Sequence, residues 1–185
     1  MNCLKALFWK QEKPKWESYH GAGLVFTDDK LILAGYQPLK KKPFISGLGG
    51  SKQDGDVDYF HTAVRETLEE LYDLEIIPDN LIAHIRGIFT KTAIHESNGY
   101  TFLKLDFTDL KIIIGLVKAF GLKSRVYDVM PKTLSELLLN RKIATGEKTE
   151  ITHLCLLPLV NHPLHLPFVD LNLIKDMRKL VNGTS

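Results

Sequence analysis

Cysteine is scarce in this chain, and long apolar runs are missing. The 185 residues hold two cysteines, Cys3 and Cys155, far apart and in neither a CxxC pair nor a metal-ligand spacing. A disulfide scaffold and a cysteine zinc site are therefore not expected. Cys155 lies in the apolar run Leu154 to Leu157, which predicts a buried free thiol. No stretch approaches the ~20 apolar residues of a membrane helix, so a membrane partner is not expected either. The segment from Met1 to Trp16 mixes apolar residues with Lys5, Lys10, Lys13 and Lys15 and lacks the apolar core of a secretory leader. A reducing, cytoplasmic setting is the reading that follows. The net charge is only +2, so bulk electrostatics give no argument for nucleic-acid binding. Internal repeats and low-complexity segments are also missing.

What is present is an ordinary balance of 44% apolar and 25% charged residues, which suits one domain over residues 1–185 with a sizeable core. Ala22 to Phe26 and Leu31 to Ala34 flank Thr27-Asp28-Asp29, which predicts two strands joined by a tight turn. A loop rich in Pro, Lys and Gly follows, from Gln37 to Asp56. A helix is expected from about Asp58 to Tyr72, ended before Pro78-Asp79-Asn80. Leu81 to Thr90 and Tyr100 to Phe107 read as strands, separated by the polar stretch His95 to Gly99. Residues 109–146 read as helical, with Pro131 opening a helix that carries Leu134, Leu137 and Leu138. Thr152 to Val160 reads as a buried strand. Phe168, Leu171, Ile174, Met177 and Val181 predict an amphipathic closing helix, stopped by Asn182-Gly183. This order predicts an α/β (α+β) fold, a mixed β-sheet sandwiched by helices, with a helical insertion at about 109–150.

The segment from Tyr59 to Leu71 carries the functional argument. At roughly 100 degrees per residue, Phe60, Val64, Leu68 and Leu71 share one helix face and can meet a core. Glu66, Glu69 and Glu70 share the opposite face at i, i+3 and i, i+4 spacing. Each close like-charge pair costs a few tenths of a kcal/mol, and only Arg65, nearer to Glu69 than to Glu66 or Glu70, can relieve them. A hard divalent cation wants such a face, because Mg²⁺ takes carboxylate oxygens and shares phosphate oxygens with a substrate. Taken alone, a glutamate-rich helix is more often a solvated face. The preceding loop shifts that balance. Gly47, Gly49, Gly50 and Gly55 crowd ahead of the helix, and glycine lets backbone approach a ligand closely. Loop and helix together suit a phosphate-bearing substrate.

The stretch Gly49-Gly50-Ser51-Lys52-Gln53-Asp54-Gly55-Asp56, followed by Arg65-Glu66-Thr67-Leu68-Glu69-Glu70-Leu71, resembles the Nudix box. That pattern is G-x5-E-x7-R-E-U-x-E-E-x-G-U, where U is a bulky apolar residue. Gly50 fits its first glycine, and Arg65-Glu66 and Glu69-Glu70 fit its core. The departures are four. Asp56 stands for the first Glu, and one extra residue separates it from Arg65. Thr67 replaces an apolar residue. Tyr72 and Asp73 occupy the positions of the final Gly and U, and Leu74 lands one position later. Without the insertion, Val57 would take the acid position and could neither bind metal nor pair with Arg65.

The resemblance implies a hydrolase that cuts a diphosphate linkage in a nucleoside diphosphate joined to another moiety. Glu66, Glu69 and Glu70 would hold Mg²⁺ or Mn²⁺, and Arg65 would pair with Asp56 or Glu69 to orient the cluster. Gly49, Gly50 and Lys52 would meet substrate. Glu69 or Glu70 could act as general base, and Glu96, Glu147 and Glu150 are candidates by position. Phe44 to Gly50 with Glu70-Leu71-Tyr72 is similar to some viral Nudix proteins, including those that remove mRNA caps. A nucleotide or a capped RNA is then the expected partner, and a homodimer stays open. Lys40-Lys41-Lys42 could meet phosphates, and Trp9, Trp16, Tyr36 and Phe44 could stack on a base, although a solvated charge run and core packing are the simpler readings. The histidines show no ligand spacing beyond a loose His162-x-x-His165. Two other classes compete: a Nudix-fold binding module without strong catalysis, and a structural protein whose glutamates are a solvated face.

Overall fold

The computed structural model describes residues 19–38, 42–143, 149–159 and 168–182. Two sheets form from strands that interleave along the chain. Strands β1 (Gly21–Phe26), β4 (Leu48–Ser51), β5 (Ala93–Ser97) and β6 (Tyr100–Leu105) make a four-stranded sheet in the order β4-β1-β6-β5. Strands β2 (Leu31–Gln37), β3 (Phe44–Ser46) and β7 (His153–Pro158) make a three-stranded sheet in the order β3-β2-β7. The first sheet is mixed, with β1 parallel to β6 and antiparallel to β4. The helices are α1 (Tyr59–Tyr72), α2 (Asp79–Ile88), α3 (Phe107–Ala119), α4 (Leu134–Leu139) and α5 (Leu171–Asn182).

Alternation along the strands decides which core each side chain joins. Ala22, Leu24 and Phe26 of β1 and Leu33 of β2 pack with α1, α2 and α3 in one cluster. Val25, Ile32, Ala34 and Phe102 point the other way, onto Leu173, Ile174 and Met177 of α5. The sheets are thus covered by helices on both sides, as an α+β sandwich requires. No helix among the described residues is long and apolar enough to cross a membrane.

Several elements differ from the sequence reading. The two strands and the tight turn between them are as expected, with Thr27 bridged to Ile32, but β1 and β2 then part into different sheets. The loop from Gln37 to Asp56 contains β3 and β4, which are too short to show a period. Leu81 to Thr90 is not a strand but mostly α2. Leu81, Ile82 and Ile85 are all buried at i, i+1 and i+4, a helical period, and Pro78 is the residue preceding the helix. The polar stretch His95 to Gly99 is the end of β5 and a tight turn in which Asn98 and Gly99 both have positive φ. Residues 109–146 are not continuously helical. α3 begins at Phe107 behind an Asp106–Asp109 capping box, and α4 starts at Leu134 behind Thr133 rather than at Pro131. On α5 the buried face is Leu173, Ile174 and Met177; Leu171 and Val181 are exposed. Cys155 is a free, part-buried thiol whose pKa burial pushes up. Cys3 and Val160 lie outside the described residues.

Candidate functional site

Helix α1 is held at both ends. At its start, Asp58 accepts a hydrogen bond from the His61 N–H and is gripped by both terminal nitrogens of Arg86 at 2.7 Å. Its apolar face, Val64, Leu68 and Leu71, is fully buried and packs against β1 and β4. Thr67 is buried with that face, and its hydroxyl accepts the Leu24 N–H, so a polar residue serves where an apolar one was expected.

The opposite face carries Arg65, Glu66, Glu69 and Glu70. Arg65 makes a fork to Asp56, with Nε and Nη2 each at 2.8 Å from a carboxylate oxygen. It also reaches Glu69 at 3.1 Å, Glu66 at 2.8 Å and the Ser51 carbonyl at 3.0 Å. Arg65 is thus as close to Glu66 as to Asp56, closer than spacing along the helix suggested. Asp56 is buried, and burial alone would raise its pKa. The Arg65 fork, the Gln53 N–H and the Thr62 hydroxyl instead hold it down at about 2. Val57 is 70% exposed, whereas Asp56 is buried and is the acid that Arg65 grips.

The glycine loop meets these acids. β4 runs antiparallel to β1 with Gly49 opposite Gly23 and Gly50 opposite Ala22. The Gly49 N–H donates to Glu70 Oε2 at 2.6 Å, and Gly49 has φ +144, which L side chains rarely adopt. A Cβ on Gly50 would run into the Glu66 carboxylate. Burial pushes the pKa of Glu66 up, against the pull of Arg65. Burial pushes Glu70 much further, helped by the charges of Glu66 and Glu150 and resisted by the Gly49 N–H. Carboxyls raised by burial, and further by neighbouring acids, gain from an incoming cation.

A cleft of about 690 Å³ opens over this face. Glu66, Glu69, Glu70, Gly49 and Gly50 all line it. So do residues that sequence spacing did not single out: Gln37, Arg125, Arg141 and Thr149. Gln37 Oε1 is buried without a hydrogen-bond partner among the described residues. Arg141 donates to the carbonyls of Glu70, Leu71 and Ile151, and Arg125 to Asp73. These arginines sit 50 or more residues from α1 in sequence, and no local pattern points to them.

Other expected contributors fall elsewhere. Lys52 does not line the cleft; its ammonium sits 4.6 Å from the centre of the Tyr19 ring. Of the loop acids, Glu150 lines the cleft, and exposed Glu96 does not. Phe44 lines the cleft, whereas Tyr36 packs against His153 with ring centres 6.1 Å apart. Glu147, Trp9, Trp16, Lys40, Lys41, His162 and His165 lie outside the described residues. Among the described residues, no group of three or more His, Cys, Asp or Glu is gathered in a form that could hold a metal ion. The reason is visible in the pairing: Arg65 draws Glu66 and Glu69, while Glu70 turns to Gly49. The available donors are nevertheless carboxylate oxygens facing one cleft, the chemistry that Mg²⁺ and Mn²⁺ accept. No family model matches the chain, and no curated protein matches it.

Proposed function

We propose that the chain is a Nudix-type diphosphatase, hydrolysing a diphosphate linkage in a nucleoside diphosphate joined to another moiety, with a nucleotide or an mRNA cap as substrate. One observation carries the reading. Three glutamates of one helix line a cleft floored by Gly49 and Gly50, and the arginine among them is locked by buried Asp56. A structural helix with a solvated acidic face has no need of a cleft or of a glycine floor cut to fit a carboxylate.

Glu66, Glu69 and Glu70 are the residues that would hold Mg²⁺ or Mn²⁺. When bound, the metal neutralises phosphate charge and lowers the pKa of a coordinated water. Arg65 keeps the carboxylates in place, and Gly50 leaves room for Glu66. Arg125 and Arg141 put guanidinium charge on the cleft wall, where phosphate oxygens would lie. On this reading Glu150 and Glu70, which both line the cleft, are the candidates to take a proton from water. The same reading puts the protein in the cytoplasm with nucleotides and RNA.

A second reading is favoured by the ion pairs that occupy Glu66 and Glu69. On it, the chain is a Nudix-fold binding module of weak or no catalysis. Turnover separates the two. Glu70→Gln and Glu66→Gln are expected to lower metal-dependent hydrolysis by about 10²–10³-fold, with thermal stability maintained. Unchanged turnover in both variants would remove the enzyme reading.

A further inference from the structure

Beside the acidic cleft lies a second cavity of about 360 Å³, and Phe44 and Gly49 line both. Both volumes fall in the range of ~300–1,000 Å³ usual for small-molecule sites. The walls of the second cavity come from β3, β6 and α5, and include Tyr100, Asn98, Asn172 and Asp176.

One of these side chains is unexplained by the fold. Asp176 is half-buried, and no hydrogen bond or ion pair engages its carboxylate among the described residues. Its neighbour Asp170 is accounted for, accepting the N–H groups of Asn172 and Leu173 at the start of α5. Burial raises Asp176 to about 6, which leaves it mostly ionised at neutral pH. The Tyr100 phenol lies against the backbone of Gly23 and Gly49, and it feels the charges of Glu70, Asp176 and Glu66. It therefore stands between the acidic cleft and Asp176.

We propose that this cavity is a base-recognition subsite for a guanine-type nucleotide: Asp176 accepts the two adjacent N–H donors of the base, Phe44 packs on its ring, and its phosphates pass Gly49 toward Glu66, Glu69 and Glu70. An ionised carboxylate only accepts hydrogen bonds. Guanine alone among the common bases presents a ring N–H beside an amino group on its pairing edge. Adenine and cytosine pair a donor with an acceptor there, and uracil sets its one N–H between two carbonyls. An acid with both oxygens uncommitted thus selects guanine, and leaving it facing any other edge puts acceptor against acceptor. Phe44 supplies an aromatic face at the junction of the two cavities. The direction given to the phosphates rests on the diphosphatase reading; the base preference does not.

The test is equilibrium binding of GMP, AMP, CMP and UMP to the whole chain in the presence of a chelator, so that no hydrolysis contributes. The wild type is expected to favour GMP by about tenfold or more, the discrimination a bidentate base contact gives. Asp176→Asn keeps the shape but replaces one acceptor by a donor. It is expected to lose that preference on GMP and to leave AMP within about twofold. Phe44→Leu should weaken all four nucleotides together. Equal binding of the four by the wild type, or GMP affinity unchanged in a folded Asp176→Asn protein, overturns the proposal. Selective GMP binding in chelator, with no cleavage of GTP or capped RNA once Mg²⁺ or Mn²⁺ is restored, would support the subsite and remove the diphosphatase reading. Hydrolysis without base preference would do the reverse.

Discussion

The Asp56 carboxylate is almost fully buried and holds the Arg65 guanidinium with two hydrogen bonds of 2.8 Å. Its pKa falls from an ordinary 3.8 to about 2, so its contribution to stability is complete above about pH 4 and is lost as pH drops through 2. Removing one member of such a pair strands the other charge. Asp56→Asn is therefore expected to cost about 2–4 kcal/mol at pH 7, and less at pH 2, by denaturant unfolding at both values. Asp176 has the opposite sign. It is protonated up to about pH 6 when folded but only to about 3.8 when unfolded, so its ionisation costs stability that is lost as pH rises across that window. Asp176→Asn should melt higher than wild type at pH 7.5, by roughly 1–3 kcal/mol of stability, and the gain should vanish near pH 4. The two loop glycines also divide. A Cβ on Gly49 meets the backbone of Gly23 and Ala22 at a φ of +144, so Gly49→Ala is expected to destabilise the fold by about 1–3 kcal/mol. The atoms nearest a Cβ on Gly50 belong to the Glu66 carboxylate, a side-chain end rather than backbone. Gly50→Ala should leave the melting temperature nearly unchanged and, on the diphosphatase reading, lower turnover by about 10²-fold, because it moves a carboxylate by an ångström or so.

At the scale of elements, helix α1 reaches its role through its two ends. Its last turn has no basic residue, and it finishes on Asp73 in the left-handed region with φ 50. The open carbonyls of that end are met from far along the chain. Ser124 donates to the Tyr72 carbonyl, Arg125 to Asp73, and Arg141 to Glu70 and Leu71. The segment between α3 and β7 is thus a C-terminal cap for the glutamate helix, and it brings positive charge to the negative end of the helix dipole. Arg141→Ala is expected to cost about 2–4 kcal/mol, since it leaves part-buried carbonyls unpaired, and on the diphosphatase reading to reduce turnover even where the protein stays folded. The same element explains what the sequence could and could not tell. The α1 span and the face carrying Glu66, Glu69 and Glu70 were legible because helical period is local. Asp56 and Glu69 were the two open partners for Arg65, and the structure pairs it with both. The capping arginines were hidden, since nothing near α1 in sequence refers to residues 125 and 141. α2 was misread as a strand because its run of Leu, Ile, Ala and Ile fits both periods until the burial of Leu81, Ile82 and Ile85 separates them. Asp176 was hidden for a different reason: on an amphipathic helix an acid reads as solvent face, and only the tertiary structure sets it in a cavity.

For the whole molecule, two sheets with helices on both sides leave two adjoining cavities along β3 and β4, one acidic and arginine-flanked, the other aromatic with an uncommitted acid. A ligand joining phosphates to a base would span both, past Phe44 and Gly49. The direct test is release of phosphate-bearing products from a panel of capped RNA, dinucleoside polyphosphates, ADP-ribose, NADH, nucleoside triphosphates and diphosphoinositol phosphates, run with a chelator and again with Mg²⁺ or Mn²⁺ restored. The diphosphatase account predicts cleavage of at least one nucleoside-bearing member at the diphosphate, only when metal is present, and its loss in Glu70→Gln. No cleavage of any member with either metal, by a folded protein that binds one of them tightly in chelator, would contradict it.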